Sequence, residues 1–127
     1  MRTVKSPDGF TLIELVVVVL VLGIIAAVAA PKMFDTANDA RETATRQNLA
    51  VVRDAIELYR AQEGKYPAVS TIQSDLAGYI RGPFPAPAVG ADKGNSSVTD
   101  NTSTAAGWLY NATTGSFRVR DSSYSSW

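Results

Sequence analysis

Cysteine and histidine are both missing from this 127-residue chain. Without cysteine there is no disulfide, no thiolate nucleophile and no cysteine-ligated metal. Without histidine the commonest general base and the commonest transition-metal ligand are gone as well, so the sequence is read as that of a non-enzyme. An excess of charge of either sign is also lacking, because 12 basic and 12 acidic residues cancel. No basic surface points to nucleic acid, and no lysine cluster points to a peripheral lipid site. No P-loop is present, so any work done on the chain draws on energy from elsewhere.

What the chain has instead is a long apolar run. Gly9 to Ala30 reads GFTLIELVVVVLVLGIIAAVAA, of membrane-spanning length, and carries one carboxylate, Glu14. An acidic residue at mid-membrane costs roughly 2.5 to 3.5 kcal/mol on insertion scales, so a plain anchor gains nothing from it. Ahead of the run lie nine residues, MRTVKSPDG, in which Arg2 and Lys5 form the cationic flank expected on the cytoplasmic side. A secretory signal puts its apolar core before the cleavage site and loses it. Here the order is reversed: Pro7 discourages helix across the junction, and a cut after Gly9 keeps the apolar run on the mature chain.

The segment GFTLIELVVVVLVLGIIAAVAAP resembles the N-terminal segment of the type IV pilin superfamily, which includes the pseudopilins of type II secretion systems. The likeness runs from Gly9 to about Met33. It implies that a prepilin peptidase cleaves between Gly9 and Phe10 and methylates the new amino group of Phe10. Glu14 falls on the family's glutamate and Pro31 on its helix-kinking proline, while Asp8 departs from leaders that are more basic beside the glycine.

Two readings of Glu14 stand side by side. Thr11 and Glu14 have the T-x-x-E spacing of a capping box, in which the carboxylate serves the amides of the helix start. In the other, Glu14 pairs with the Phe10 amine of a neighbouring subunit, since two charges buried together cost far less than one alone. Further along, Gly23 and Pro31 bracket a stretch of weakened helix, Gly through entropy and Pro through a missing donor. This reads either as an ordinary span with a bend or, following the resemblance, as a segment that loses helical order in the filament.

Past Pro31 the pattern turns amphipathic. Leu49, Val52, Ile56 and Tyr59 step by three or four along one stripe, and Gly64 ends the helix. Tyr66 and Pro67 match a pair common after the spine helix of this superfamily. Ser70 to Ile80 predicts a short helix with Ile72, Leu76 and Ile80 inward, and GPFPAPAVG predicts an extended segment over the sheet. The polar stretch 91–107 reads as a loop. The major pseudopilins bind calcium in their C-terminal region, and by that resemblance Asp92, Asp100 and Asp121 offer hard oxygen ligands; a solvated surface loop is the other reading. Otherwise no cofactor is expected. Trp108 to Tyr110 and Phe117 to Val119 flank NATTG and predict an antiparallel hairpin, packed on the helical stripe. The closing SSYSSW is expected either to add a third strand or to fray.

The expected fold is α+β: a long N-terminal α-helix, half hydrophobic and half amphipathic, packed by a small C-terminal antiparallel sheet. The division is a leader 1–9, an apolar helix 10–30, an amphipathic helix 31–63 and a small head 64–127. The resemblance implies a structural subunit of a pilus-like filament, most like a type II secretion pseudopilin, with a type IV pilin for adhesion, motility or DNA uptake as the alternative. Its partners would be further copies of itself, the prepilin peptidase, an inner-membrane assembly platform with its ATPase, and lipid before assembly. It would sit in the bacterial inner membrane as a single pass, N-terminus cytoplasmic, and then in a periplasmic or extracellular filament. An uncleaved single-span protein with a small binding head is the reading from a different class.

Overall fold

The computed structural model describes residues 9–127, so the expectations for Arg2, Lys5, Pro7 and Asp8 lie outside the described residues. The first long element is helix α1, Leu12–Glu63, which contains Pro31. Its valine run, Val16 to Val19, is a mediocre helix former in water because β-branched side chains lose χ1 freedom against the preceding turn. In lipid that preference is overridden, since a helix satisfies every backbone group internally. The helix closes where Gly64 takes a φ of +73° and its amide returns to the Arg60 carbonyl at 2.8 Å.

The described residues divide into two units, 9–38 and 39–127. In the first, the large side chains from Phe10 to Phe34 are all exposed, and an 18-residue window of α1 has a mean hydropathy of 3.1 with none of it buried. Nineteen residues, 12–30, rise about 28 Å, close to the roughly 30 Å hydrocarbon thickness of a bilayer.

The second unit holds the core. Leu49, Val52, Ala55 and Ile56 of α1 bury one stripe, as the spacing predicted, against Trp108, Tyr110, Phe117 and Val119. Helix α2, Ile72–Asp75, is a single turn, shorter than the predicted Ser70–Ile80. The chain continues past it through turns, with the Ile80 amide on the Leu76 carbonyl at 3.1 Å, so Ile72, Leu76 and Ile80 still point inward. The proline segment lies where expected. Trp108 Nε1 donates to the Pro85 carbonyl at 2.8 Å, Asn48 Nδ2 to the Ala86 carbonyl at 3.0 Å, and the Ala88 amide to Thr45 Oγ1 at 3.0 Å. Side chains therefore supply the partners that a strand ladder would have given.

The sheet differs from expectation. Strands β1 (Val98–Thr99), β2 (Trp108–Tyr110) and β3 (Phe117–Val119) lie in the order β1-β2-β3. The predicted antiparallel hairpin is present, with Trp108 opposite Val119 and Tyr110 opposite Phe117. However, β1 pairs with β2 in parallel, so the sheet is mixed. The third strand thus comes from the stretch read as loop, where two residues are too few for any alternation to register. The closing residues neither add a strand nor fray. Ser122–Tyr124 form a 3-10 turn, and Trp127 packs on Tyr124 with Arg46 stacked 4.4 Å from its ring centroid.

One acceptor on the open side of β3 is filled by a side chain of α1. The bonds Arg120 N to Gly107 O and Asn111 N to Ser116 O place the Phe117 carbonyl on the face of the ladder turned away from β2. Arg53 of α1 reaches that carbonyl through Nε at 2.9 Å and holds the Trp127 carbonyl through Nη2 at 2.6 Å.

Among the described residues no buried side-chain nitrogen or oxygen lacks a partner. Tyr110 illustrates how. Its ring is buried in the core and its hydroxyl donates to the Pro67 carbonyl at 3.0 Å. Burial, with added negative charge from Tyr66 and Asp75, pushes the phenol up to about 12. The unfolded chain releases this proton near pH 10, so the unfolded state binds fewer protons above that value and stability falls as pH rises from 10 towards 12. Two pKa units correspond to about 2–3 kcal/mol. Unfolding followed by near-ultraviolet circular dichroism should therefore show a steep alkaline loss. That loss should be visibly shallower in Tyr110→Phe, which has no proton to release.

Candidate processing and assembly site

Gly9 and Phe10 precede the first turn of α1 outside regular secondary structure and are exposed, Phe10 at 85 %. A protease needs a peptide outside regular structure, and the predicted cleavage point offers one. Immediately after it the helix start is built by two side chains. The Thr11 amide donates to Glu14 Oε2 at 2.8 Å, the Thr11 hydroxyl donates to the same oxygen at 2.8 Å, and the Glu14 amide donates to Thr11 Oγ1 at 3.3 Å. The capping box read from T-x-x-E is thus complete. It turns the carboxylate back towards residue 11, one residue from the Phe10 amine that cleavage would create. With Glu14, the side chains of Phe10, Ile13, Val17 and Val18 line an open, largely apolar groove.

Gly23 and Pro31 both lie inside α1, which is assigned as helix throughout. A Cβ on Gly23 would meet nothing within 4 Å, so no packing within this chain requires glycine there. A mid-helix glycine costs roughly 1 kcal/mol relative to alanine. Among the described residues no contact at Gly23 offsets this cost.

The three acids offered as calcium ligands have separate roles. Asp92 is taken by Arg120, which donates to it through Nε at 3.0 Å and also through Nη2. Asp121 caps the 3-10 turn at Ser123 N, 2.9 Å away, and accepts from the Ala91 amide at 2.9 Å. These two amides hold its carboxyl below the usual carboxylate range. Asp100 lines a different groove, beside Leu109 and Arg118. Among the described residues no three acidic side chains gather at one point. Nothing in the sequence marks Arg120: in the run FRVRD it is the second of two alternating arginines and gives no signal of the loop it closes.

Comparison with known proteins bears on the N-terminal segment first. Residues 5–30 match the prokaryotic N-terminal methylation motif. The chain is 30% identical over 79 residues to the type II secretion system core protein G of Pseudomonas aeruginosa, covering 62% of this chain and 54% of that protein. It is 28% identical over 83 residues to the protein of the same name from Aeromonas hydrophila, covering 65% and 56%. It is 31% identical over 70 residues to the type IV narrow pilus major component PilA5 of Thermus thermophilus, covering 55% and 60%. The matches thus span little more than half the length of these curated relatives. No solved structure matches at a significant level. An exposed apolar helix with a capped carboxylate near its start therefore coincides with a matched methylation motif: the chain carries a prepilin-type N-terminal segment and is homologous to type II secretion protein G and to a type IV pilin.

Proposed function

We propose that this chain is a structural subunit of a pilus-like filament, a pseudopilin of a type II secretion system, assembled through α1. The observation that carries the reading is an apolar helix left unburied by the described residues, holding one carboxylate within the matched methylation motif. Before assembly the helix crosses the inner membrane once, with the leader on the cytoplasmic side. A prepilin peptidase cuts between Gly9 and Phe10 and methylates the Phe10 amine. An assembly platform and its ATPase then move the helix from lipid into a bundle of identical helices, forming a periplasmic or extracellular filament.

The Glu14 carboxylate neutralises the Phe10 amine of a neighbouring copy. Because a single axial offset satisfies both charges, the pair also sets the register. Gly23 and Pro31 then find their use: packing between copies accepts a helix weakened there, whereas the isolated chain gains nothing from it. The similarity to a narrow-pilus component favours a second reading, a type IV pilin displayed at the cell surface.

Intact mass and N-terminal sequencing of the chain recovered from membranes test the proposal. With the peptidase present, the expected product begins at N-methylated Phe10; without it, Met1 remains. A chain that keeps Met1 in the presence of a working peptidase would remove the filament reading and leave an uncleaved membrane protein. Surface filaments built of this chain would move it from pseudopilin to pilin.

A further inference from the structure

The segment between α2 and β2 contains little regular structure, and one guanidinium holds it. Arg120 follows β3 and reaches back across the segment with three nitrogens. Nε donates to Asp92 and to the Ala106 carbonyl at 3.0 Å, Nη1 donates to the Thr102 carbonyl at 2.8 Å, and Nη2 also engages Asp92. Its own amide is fixed on the Gly107 carbonyl at 3.1 Å. Both charged side chains are largely withdrawn from solvent, at 20% exposure each. The adjacent residue works in the opposite direction: Asp121 accepts from the Ala91 amide, next to Asp92. Residues 91–92 and 120–121 are therefore clamped by two crossed contacts.

One carboxylate and two backbone carbonyls drawn around a positive centre are the donor types that bind a hard divalent ion. Here the positive centre is a side chain. We infer that Arg120 is the built-in cation of this head, holding through its own charge the oxygen set that calcium would otherwise gather, so that the 91–107 segment closes without a metal. The residues do not fit a calcium site as they stand. The acid best placed to ligate already faces a guanidinium, and any ion arriving there would meet like charge. A planar guanidinium also suits the task, because its donors fan out in one plane and serve three acceptors at once.

The test uses the full-length chain in detergent micelles, with thermal unfolding and limited proteolysis of residues 91–107 as readouts. In millimolar calcium and in excess chelator the wild-type midpoint and cleavage pattern should coincide. Arg120→Gln keeps hydrogen-bond donors but loses the charge, and should be cut in the segment several-fold faster under both conditions. Asp92→Asn should do the same from the other side of the pair, which covers the case in which Arg120→Gln does not fold. A wild-type midpoint that rises with calcium, or segment cleavage unchanged from wild type in both variants, would overturn the inference.

Discussion

If the chain assembles as proposed, filaments should disappear from Glu14→Gln while the chain is still made, inserted and cleaved. Glutamine keeps an acceptor in the capping position, so the helix start survives; what is lost is the negative charge. Under the proposed pairing, that change would leave the Phe10 amine of a neighbour buried and unpaired. Removing one partner of a buried ion pair costs roughly 3–5 kcal/mol, a drop of at least about 100-fold in an assembly constant. Thr11→Ala gives the opposite pattern. It breaks the hydroxyl bonds of the cap, worth about 1 kcal/mol, yet keeps the charge, so filament yield should change little. Sheared-filament yield per unit of processed subunit, measured by immunoblot, separates the two. Equal yields from Glu14→Gln and wild type would reduce the carboxylate to a cap.

The second large effect lies in the head. Gly107→Ala should prevent the second unit from folding. A Cβ at Gly107 would stand 1.8 Å from the Asn95 carbonyl oxygen and 2.7 Å from Pro87 Cδ. Neither neighbour yields easily. The Asn95 carbonyl is backbone in the segment leading to β1, and Pro87 is a fully buried ring whose carbonyl is tied to the Gly94 amide at 2.8 Å. Since β2 begins at the next residue, a shift of Gly107 would move Trp108 out of the centre of the core. We expect a loss of about 4 kcal/mol or more, at the upper end of single-substitution effects. Urea denaturation followed by tryptophan fluorescence reads it directly. Gly23→Ala is the natural comparison, because the added methyl meets open space and should leave the head's unfolding midpoint unchanged.

Much of this architecture was legible because its signals are periodic or local. The 3–4 spacing of Leu49, Val52 and Ile56 located the buried stripe, and NATTG between aromatic runs located the hairpin. There Asn111 accepts from the amides of Thr113 and Thr114, and Gly115 takes a φ of +74° against the Tyr66 ring. The T-x-x-E spacing likewise gave the capping box. The features that escaped depend on partners distant along the chain. Strand β1 is two residues held by a parallel neighbour, with the Trp108 amide on the Ser97 carbonyl at 3.1 Å. Arg120 meets oxygens 14, 18 and 28 positions earlier, separations at which no spacing rule applies. The acids at 92 and 121 drew attention by type alone, and the fold gave each a different occupation.

The Arg53 clamp over β3 bears on whether the sheet edge of one copy could pair with that of another. A strand with free carbonyls along its rim is a template for another strand, and crowded subunits awaiting export would zip together there. By filling the Phe117 acceptor and anchoring Trp127 alongside, one arginine blunts that seam, while the two-residue β1 leaves the opposite rim too short to recruit a stranger. In the proposed filament, the sheet edges of the head therefore offer little to a neighbouring copy, and contact between copies would fall to the apolar helix.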